Sequence, residues 1–367
     1  MHLNGLTLLA VCLYAVSAIA EIQPEEVGRT KMKAPQDTWL LARSRLQSAY
    51  IFDAATGDMQ GLLALSFYTP AVQPNLSRGE IYAAESFYSR SYRGDRTDVV
   101  SIYDLESLSP VDEIIIPNKV AALPFRQYIG LLDDEKHLIV FNLTPAQSLS
   151  VVDIAKRKFV GEIKTPGCSL VMPTEKRSFL QICGDGTLQL IQLDKKGGES
   201  ARVRSEVFFD LEEDPVYDKP VPTKNSWLLI SFEGKAMEAT VDKGKVTISD
   251  AWSLTTDEDK EERWKPGGGQ LIAFHQELDL MYVLMHQGEE HTHEDAGSEV
   301  WIFDRAAQRR VAKIKLETTA TDLLVSQNDK PLLTVSTDGK LHVFDAETTR
   351  LVRSIDLPSP GVLQAFR

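Results

Sequence analysis

The sequence has few cysteines and few basic residues. Three cysteines occur in 367 residues, and 40 Lys and Arg residues oppose 53 Asp and Glu residues, for a net charge of −13. A chain this acidic lacks the clustered cations that nucleic-acid phosphates require, so no nucleic-acid partner is expected. The negative charge instead favours long-range attraction of a cationic partner or substrate.

Long hydrophobic runs are also missing, except at the N-terminus. Residues 1–20 (MHLNGLTLLAVCLYAVSAIA) carry no Asp, Glu, Lys or Arg and end in Ala18-Ile19-Ala20, with small residues where a signal peptidase cleaves. We predict a signal peptide over 1–20. A signal anchor is the alternative, because His2 stands where Lys or Arg is usual. No later run approaches the roughly 18 apolar residues of a membrane span, so the mature chain is expected to be exported and not embedded in a membrane.

Motifs of common catalytic and cofactor sites are absent. The sequence contains no GxSxG, no Walker loop and no CxxCH. We therefore predict no catalytic, cofactor-binding or metal-binding residue on this chain.

One pattern occurs seven times: an apolar strand, an aspartate, a polar turn and a second apolar strand. LHVFDAETTRLVRSIDL, from Leu341 to Leu357, is an example. Successive aspartates are 41 to 62 residues apart, and such a period indicates a β-propeller. The prediction is an all-β, seven-bladed β-propeller over residues 39–367, preceded by a loose N-terminal arm over 21–38. The seven aspartates are Asp53, Asp104, Asp153, Asp194, Asp242, Asp304 and Asp345.

Each aspartate is expected to have a structural role. Its carboxylate can accept hydrogen bonds from backbone N–H groups two or three residues on and so cap the turn. The two strands that it joins would form the outer edge of one blade, and the apolar faces of that blade would be covered by its two neighbours.

Cys168 and Cys183 flank an apolar strand, a turn and a second apolar strand. Cross-strand neighbours in such a hairpin can lie at bridgeable distance, and an exported compartment keeps the bond oxidised. We predict a disulfide between them, with two free buried thiols as the alternative.

Two insertions interrupt the pattern between Asp242 and Asp304. In SLTTDEDKEERWKPGGG, Thr255 and Glu258 have the spacing of a capping box, and Pro266 with Gly267–Gly269 would end the helix. HQGEEHTHEDAGSE is an acidic, His-rich loop in the same unit. Both are expected to project from one rim, where insertions commonly form the binding face.

Three segments are candidates for binding. Imidazoles and carboxylates of the His-rich loop could hold zinc or copper, but such loops are usually solvated. ESFYSRSYRGDRTD is either a surface hairpin or a docking patch, because Tyr and Arg anchor interfaces. RWKPGGG either lets another chain approach closely or only terminates the helix. The residues concerned are His286, Glu289, Glu290, His291, His293, Glu294 and Asp295 in the loop, and Phe87, Tyr88, Arg90, Tyr92, Arg93 and Arg96 in the hairpin.

Several longer stretches carry a family resemblance. They include YRGDRTDVVSIYD, AWSLTTDEDKEERWKPGG and MYVLMHQGEEHTHEDAGSEVWIFD. From Thr38 to Phe366 the chain resembles the heavy subunit of the tryptophan tryptophylquinone amine dehydrogenases. It is closer to the aromatic (aralkylamine) type than to the methylamine type, although NDKPLLTVSTDGKLHVFDAET is more like the latter.

The resemblance implies a periplasmic seven-bladed propeller in an α₂β₂ assembly with a small light subunit. That light subunit would carry the tryptophan tryptophylquinone and the catalytic base, and the enzyme would oxidise a primary amine to an aldehyde and ammonia. Electrons would pass to a blue copper protein. The resemblance also pairs the cysteines that match Cys168 and Cys183.

The sequence departs from the family in two places. Where relatives have a bulky aromatic by the substrate channel, this chain offers Leu41, Arg43 or Leu46, and after the paired glycines it has Gly269. A smaller wall residue generally widens a pocket, so these departures leave the choice of preferred amine undecided. The residues expected at the partner or channel rim are Tyr88, Arg93, Trp264, Gly268 and His286.

Two other functions fit the same fold. One is a stand-alone propeller that binds a ligand or protein. The other is a self-sufficient propeller enzyme such as a lactonase, which would need its own metal or acid–base cluster at the axis.

Overall fold

Antiparallel β-strands make up most of the described chain. The computed structural model describes residues 31–44, 47–66, 70–121, 123–358 and 361–366. The predicted signal peptide (1–20), residues 21–30 of the predicted arm, and Leu46 lie outside the described residues. Within those ranges, no helix has the length and apolar character needed to cross a membrane.

The strands form seven sheets of four or five strands, which we number as blades 1 to 7. Blades 1 and 2 contain β1 (Trp39–Ser44), β2 (Ser48–Asp53), β3 (Met59–Ala64), β4 (Ala71–Asn75), β5 (Glu80–Arg90), β6 (Arg93–Asp104) and β7 (Pro110–Ile116). A 3₁₀ turn, Arg126–Tyr128, leads into blade 3. Blades 3 and 4 contain β8 (Ile129–Leu131), β9 (His137–Asn142), β10 (Ser148–Asp153), β11 (Lys158–Lys164), β12 (Cys168–Thr174), β13 (Ser178–Cys183), β14 (Leu188–Leu193) and β15 (Glu199–Arg204).

The remaining blades follow in chain order. Blade 5 contains β16 (Val221–Pro222), β17 (Ser226–Ile230), β18 (Lys235–Asp242), β19 (Lys245–Ile248) and β20 (Trp252–Ser253). Helix α1 (Asp257–Glu261) precedes blade 6, which contains β21 (Trp264–Pro266), β22 (Ile272–His275), β23 (Leu280–Gln287), β24 (Gly297–Asp304) and β25 (Arg309–Ala320). Blade 7 contains β26 (Asp322–Val325), β27 (Leu332–Ser336), β28 (Lys340–Asp345) and β29 (Leu351–Asp356), and β30 (Gly361–Ala365) follows it.

The last strand closes the ring. β30 pairs with β1, so blade 1 has the order β30-β1-β2-β3 and joins the two ends of the propeller. The pairing is close, because a Cβ on Gly361 would collide with the backbone of Arg43 and Ser44. The predicted seven-bladed β-propeller is confirmed.

The blade-edge aspartates lie where the pattern predicts, between the two outer strands of each blade. In six of the seven turns the carboxylate accepts a backbone hydrogen bond, such as Ala55 N to Asp53 Oδ1 at 2.9 Å and Thr348 N to Asp345 Oδ1 at 2.7 Å. At Asp242 the side chain is exposed, and Lys243 and Gly244 form the turn with φ angles of 49° and 79°. Two successive positive φ angles suit a two-residue hairpin turn without help from the aspartate.

The core lies between neighbouring blades. Leu41 and Ile51 of blade 1 pack with Val72 and Ile81 of blade 2, and all four are fully buried. Each such side chain contributes roughly 1.5–3 kcal/mol relative to an exposed one. The apolar faces of each blade are therefore covered by the adjacent blades, as the repeat predicts.

Helix α1 begins one residue later than the sequence predicted. Its N-cap is Thr256, not Thr255, and the reciprocal partner is Asp259, not Glu258. The shift lets the Asp259 carboxylate accept from Thr256 N at 2.9 Å and also pair with Arg310 of β25 at 2.7 Å. The helix ends at Glu261, before Pro266, because Trp264–Pro266 pairs with β23 as a strand.

Candidate functional site

A deep cavity lies on the ring axis, at the end where the innermost strands begin. Its wall includes the first residues of β12, β26 and β30 and the segments that lead into β8, β16 and β22. Its volume is about 1070 Å³, comparable with the largest ordinary small-molecule pockets, on the order of 1,000 Å³. Much of the wall is aromatic or aliphatic, including Phe125, Ile182, Phe209, Val216, Tyr217 and Phe232.

Two charged residues of the cavity wall, Arg43 and Asp322, interact electrostatically with Arg126, which directly follows the wall residue Phe125, and we call these three residues the axial charge cluster. Arg43, in β1, is fully buried and donates from Nη1 to the Pro70 carbonyl at 2.6 Å. Arg126 donates from Nη2 to the Leu323 carbonyl at 3.2 Å. Asp322, at the start of β26, is buried and accepts from the backbone N–H of Gln270 at 3.2 Å. The three residues come from blades 1, 3 and 7 and converge on the axis.

Burial governs the protonation of this cluster. It lowers the pKa of Arg43 to about 10 and that of Arg126 to about 9, although the charge of Asp322 opposes both changes. Both guanidiniums therefore remain charged at neutral pH. Burial raises the pKa of Asp322, and the charge of Arg126 opposes that rise.

A disulfide joins Cys168 and Cys183 at the cavity wall. The two residues are direct cross-strand partners in β12 and β13, so the bond fastens the innermost strand of blade 4 to its neighbour. The predicted disulfide is confirmed, and the alternative of two free thiols is wrong.

The two insertions of blade 6 meet at one rim of this cavity. The backbone N–H of Gly288 donates to the Arg263 carbonyl at 3.1 Å, and the Arg263 side chain pairs with Glu289. Further along the His-rich loop, the His293 ring stacks on Phe232 of the cavity wall, with ring centroids 4.1 Å apart. The two insertions thus contact each other at one rim, as their shared position in the sequence predicts, and the His-rich loop contributes His293 and Glu294 to the wall.

The histidines of the loop have separate partners. His286 is buried and its Nε2 contacts Thr292 Oγ1 at 2.9 Å, while His293 stacks on Phe232 and His291 is exposed. Burial lowers the pKa of His286, which favours its neutral form. Among the residues that the structure describes, no group of three or more His, Cys, Asp or Glu side chains is arranged to hold a metal ion.

The predicted rim residues occupy different positions on this face. Gly268 lines the cavity, and His286 lies behind it, against Gly267. Trp264 packs on Trp301, with ring centroids 5.3 Å apart, and is not part of the cavity wall. Tyr88 and Arg93 lie at the tip of the long β5–β6 hairpin, on the same end of the ring but outside the cavity wall. A partner role for these five residues remains a prediction.

The glycine triplet is required by the chain's own packing. Gly268 has a φ of 123°, and a Cβ there would lie 2.9 Å from the Thr321 carbonyl oxygen. The backbone N–H of Gly269 donates to that same oxygen at 2.7 Å. The glycines therefore admit close approach by residue 321 of this chain, and the interpretation as a helix terminator is wrong because α1 ends at Glu261.

The residues predicted to lie by the substrate channel occupy different places in the structure. Leu41 is fully buried between blades 1 and 2, whereas Arg43 and Gly269 line the cavity. Sequence reasoning missed Arg126 and Asp322 altogether. One signal was present for Arg43, because an arginine inside the otherwise apolar strand WLLARS requires a buried partner or ligand.

The fold and the site define this chain as a seven-bladed β-propeller with a cavity at its axis. A solved chain of Kuenenia stuttgartiensis hydrazine synthase shares the fold, with a TM-score of 0.56 at 14% identity, over 92% of this chain and 100% of that one. At this identity the likeness concerns the fold alone.

The family follows from a closer likeness. A family model described as methylamine dehydrogenase heavy chain matches residues 43–362, and this chain belongs to that family. It is 29% identical to the methylamine dehydrogenase heavy chain of Methylophilus methylotrophus, over 96% of this chain and 92% of that protein. It is 28% identical to the methylamine dehydrogenase heavy chain of Paracoccus versutus, over 84% of this chain and 72% of that protein.

Proposed function

We propose that this chain is the heavy subunit of a periplasmic, quinone-dependent amine dehydrogenase that oxidises primary amines, with aromatic or aralkyl amines preferred. The light subunit seats on the cavity face and carries tryptophan tryptophylquinone, two copies of each chain form the assembly, and a blue copper protein accepts the electrons. The observation that carries the proposal is the family match over residues 43–362 of a chain whose axial cavity is open to a partner.

The distribution of tryptophans supports a quinone on the light subunit. This cofactor is built from two tryptophan side chains of one chain, and the chain has five tryptophans: Trp39, Trp227, Trp252, Trp264 and Trp301. All five lie within the described residues, and none belongs to the cavity wall. Trp264 and Trp301 contact each other, but Trp301 is fully buried in blade 6.

The cavity accounts for what this chain would contribute. When bound, the quinone supplies the carbonyl chemistry by which the amine is oxidised. The ring of blades holds the cavity wall in place, and its aromatic side chains Phe125, Phe209 and Phe232 exclude water from a bound amine. They also offer apolar contact to an aromatic substrate, which favours the aralkylamine preference. The net charge of −13 attracts a protonated amine over long range.

Co-expression with the light subunit tests the assembly. The full chain, with residues 1–20, is produced together with a light-subunit gene and its maturation genes, and the periplasmic fraction is purified through a tag on this chain. We expect the two chains to copurify with a quinone absorption band that amine addition bleaches. A lone, colourless chain with full amine dehydrogenase activity would contradict the proposal.

A comparison of kcat/KM for two amines tests the substrate preference. The purified complex is assayed with methylamine and with phenethylamine under a common artificial electron acceptor. A higher kcat/KM for phenethylamine is expected because the cavity wall is broad and aromatic. A higher kcat/KM for methylamine would show that the preference is wrong while leaving the subunit assignment intact.

A further inference from the structure

The axial charge cluster leaves hydrogen-bond donors unused. The Nε and Nη2 atoms of Arg43 and the Nε atom of Arg126 are buried and have no hydrogen-bond partner. The bonds that the two guanidiniums do make go to neutral carbonyl oxygens, those of Pro70 and Leu323. Buried donors are almost always paired in native proteins, so these donors indicate a missing acceptor.

The charges at the cavity base are also unbalanced. The cluster contains two guanidinium groups and only one carboxylate, that of Asp322. One oxygen of this carboxylate accepts a hydrogen bond from the backbone N–H of Gln270. The other charged residues of the wall do not correct this, because Lys219 pairs with Asp218 and Glu294 is exposed at the rim. Even a fully ionised Asp322 leaves one positive charge without a counterion, and an isolated buried charge is strongly unfavourable. The missing acceptor should therefore be an anion.

We propose that the base of the axial cavity is a carboxylate-binding site, in which Arg43 and Arg126 together hold one carboxylate group. A carboxylate matches the planar fork of a guanidinium, which can donate two parallel hydrogen bonds to it. The aromatic wall above the cluster, formed by Phe125, Phe209 and Phe232, suits a carboxylate carried on an apolar or aromatic body. The carboxylate belongs either to a small molecule or to an acidic side chain of the light subunit.

Benzoate and benzyl alcohol provide the first test. They have the same aromatic body, but only benzoate carries a carboxylate. The purified mature chain alone is titrated with each compound at constant ionic strength, by thermal unfolding and by calorimetry. Benzoate should raise Tm in a saturable way, because a ligand that binds only the folded state stabilises it, and benzyl alcohol should not. Equal effects of the two compounds, or no effect of benzoate, would overturn the site.

Three variants locate the bound carboxylate. Arg43→Gln and Arg126→Gln should each weaken benzoate binding about tenfold or more, the loss expected for a charged hydrogen bond. Lys235→Gln is the control, since it removes an exposed cation that pairs with Asp214 outside the cavity wall, and it should leave the Kd for benzoate nearly unchanged. A loss in Lys235→Gln as large as in Arg43→Gln contradicts the assignment. Far-UV circular dichroism checks folding, and if Arg43→Gln does not fold, Arg126→Gln decides.

The complex with the light subunit distinguishes the two sources. Binding of benzoate to the assembled complex supports a small-molecule carboxylate. Exclusion of benzoate, with weaker assembly of Arg43→Gln, supports an acidic side chain of the light subunit. Exclusion of benzoate with unaltered assembly of Arg43→Gln would refute a carboxylate at this position in the complex. The experiments on the chain alone need no light subunit, so their outcome is independent of the proposed function.

Discussion

Single residues at the blade edges show how one sequence pattern produces two kinds of turn. Six aspartates cap their turns through backbone hydrogen bonds, whereas the turn at Asp242 depends on the positive φ angles of Lys243 and Gly244. The residue type and position were predictable, because an aspartate after a strand is a turn signal. Which turns need the carboxylate was not, because that depends on backbone angles.

Replacing two of these aspartates measures the difference. Asp345→Ala should lower the free energy of unfolding by about 1 kcal/mol, because the N–H groups of Glu347 and Thr348 lose their acceptor. Asp242→Ala, its matched control, should have little effect, since its side chain is exposed at a turn with two positive φ angles. Urea unfolding of the purified protein checks both values. Equal losses in the two variants would contradict the distinction.

The same hydrogen bonds predict the acid sensitivity of the protein. Backbone N–H groups, of Ser107 and Thr348 respectively, hold the pKa of Asp104 and of Asp345 below the ordinary value of 3.8. A carboxyl whose folded pKa is depressed adds stability above its unfolded pKa, and that stability is lost as the pH falls through the folded pKa. The free energy of unfolding should therefore decline below about pH 4. Asp345→Asn should flatten this decline slightly, and an unchanged pH profile would count against the assigned role.

The axial cluster shows what a sequence cannot reveal about single residues. Arg43, Arg126 and Asp322 lie far apart in the chain and share no motif spacing. They come together because Arg126 and Asp322 lie at the start of the innermost strands of blades 3 and 7, and Arg43 lies at the end of β1, opposite the start of β30. Arg43 alone gave a signal, as a charge inside an apolar strand.

At the scale of strands and helices, most of the organisation was predictable and most of the exact bounds were not. The outer strand pair of each blade follows from alternating apolar residues and a turn signal, which are local properties. The predicted start of α1 was wrong by one residue, because Thr255–Glu258 and Thr256–Asp259 both have a capping-box pattern. The contact of Asp259 with Arg310 of β25 selects the second pair, and this tertiary contact leaves no trace in the local sequence.

The disulfide is the element-scale feature with the clearest energetic consequence. Its two residues are 15 positions apart, and a loop of that length gives about 3 kcal/mol on the chain-entropy model. The double variant Cys168→Ser, Cys183→Ser should lose roughly this much stability. Thermal unfolding with and without a reductant checks the value. Reductant should lower the Tm of the native protein and leave that of the variant unchanged. An unchanged Tm of the native protein with a lowered Tm of the variant would contradict the prediction.

At the scale of the whole molecule, the ring is held by its closing strand and by side chains that cross the axis. β30 pairs with β1, and the side chains of Arg126 and Gln127 in blade 3 donate to carbonyls of Leu323 in blade 7 and Pro220 in blade 5. The repeat count predicted seven blades. It did not predict the closure, because the C-terminal strand has its partner at the opposite end of the chain.

A substitution at the closure tests its importance. Gly361→Val should destabilise the protein by about 1–3 kcal/mol, because its side chain would collide with the backbone of Arg43 and push β1 and β30 apart. Gly161→Ala is the control, since a Cβ on Gly161 of β11 would meet no atom within 4 Å. Chemical unfolding compares the two. A stable Gly361→Val protein would mean that the ring tolerates a gap at this position.

The pairing of Leu40 with Ala365 also determines the order in which the ring can be assembled. The ribosome delivers β1 before blades 2 to 7 and β30 after them, so blade 1 lacks its innermost strand while the other six blades are synthesised. Blades 2 to 7 can assemble on their neighbours meanwhile, but the apolar edge of β1 must wait. The ring can therefore close only after blades 2 to 7 have been synthesised, and a truncated chain without β30 would leave that edge of β1 free to pair with another chain.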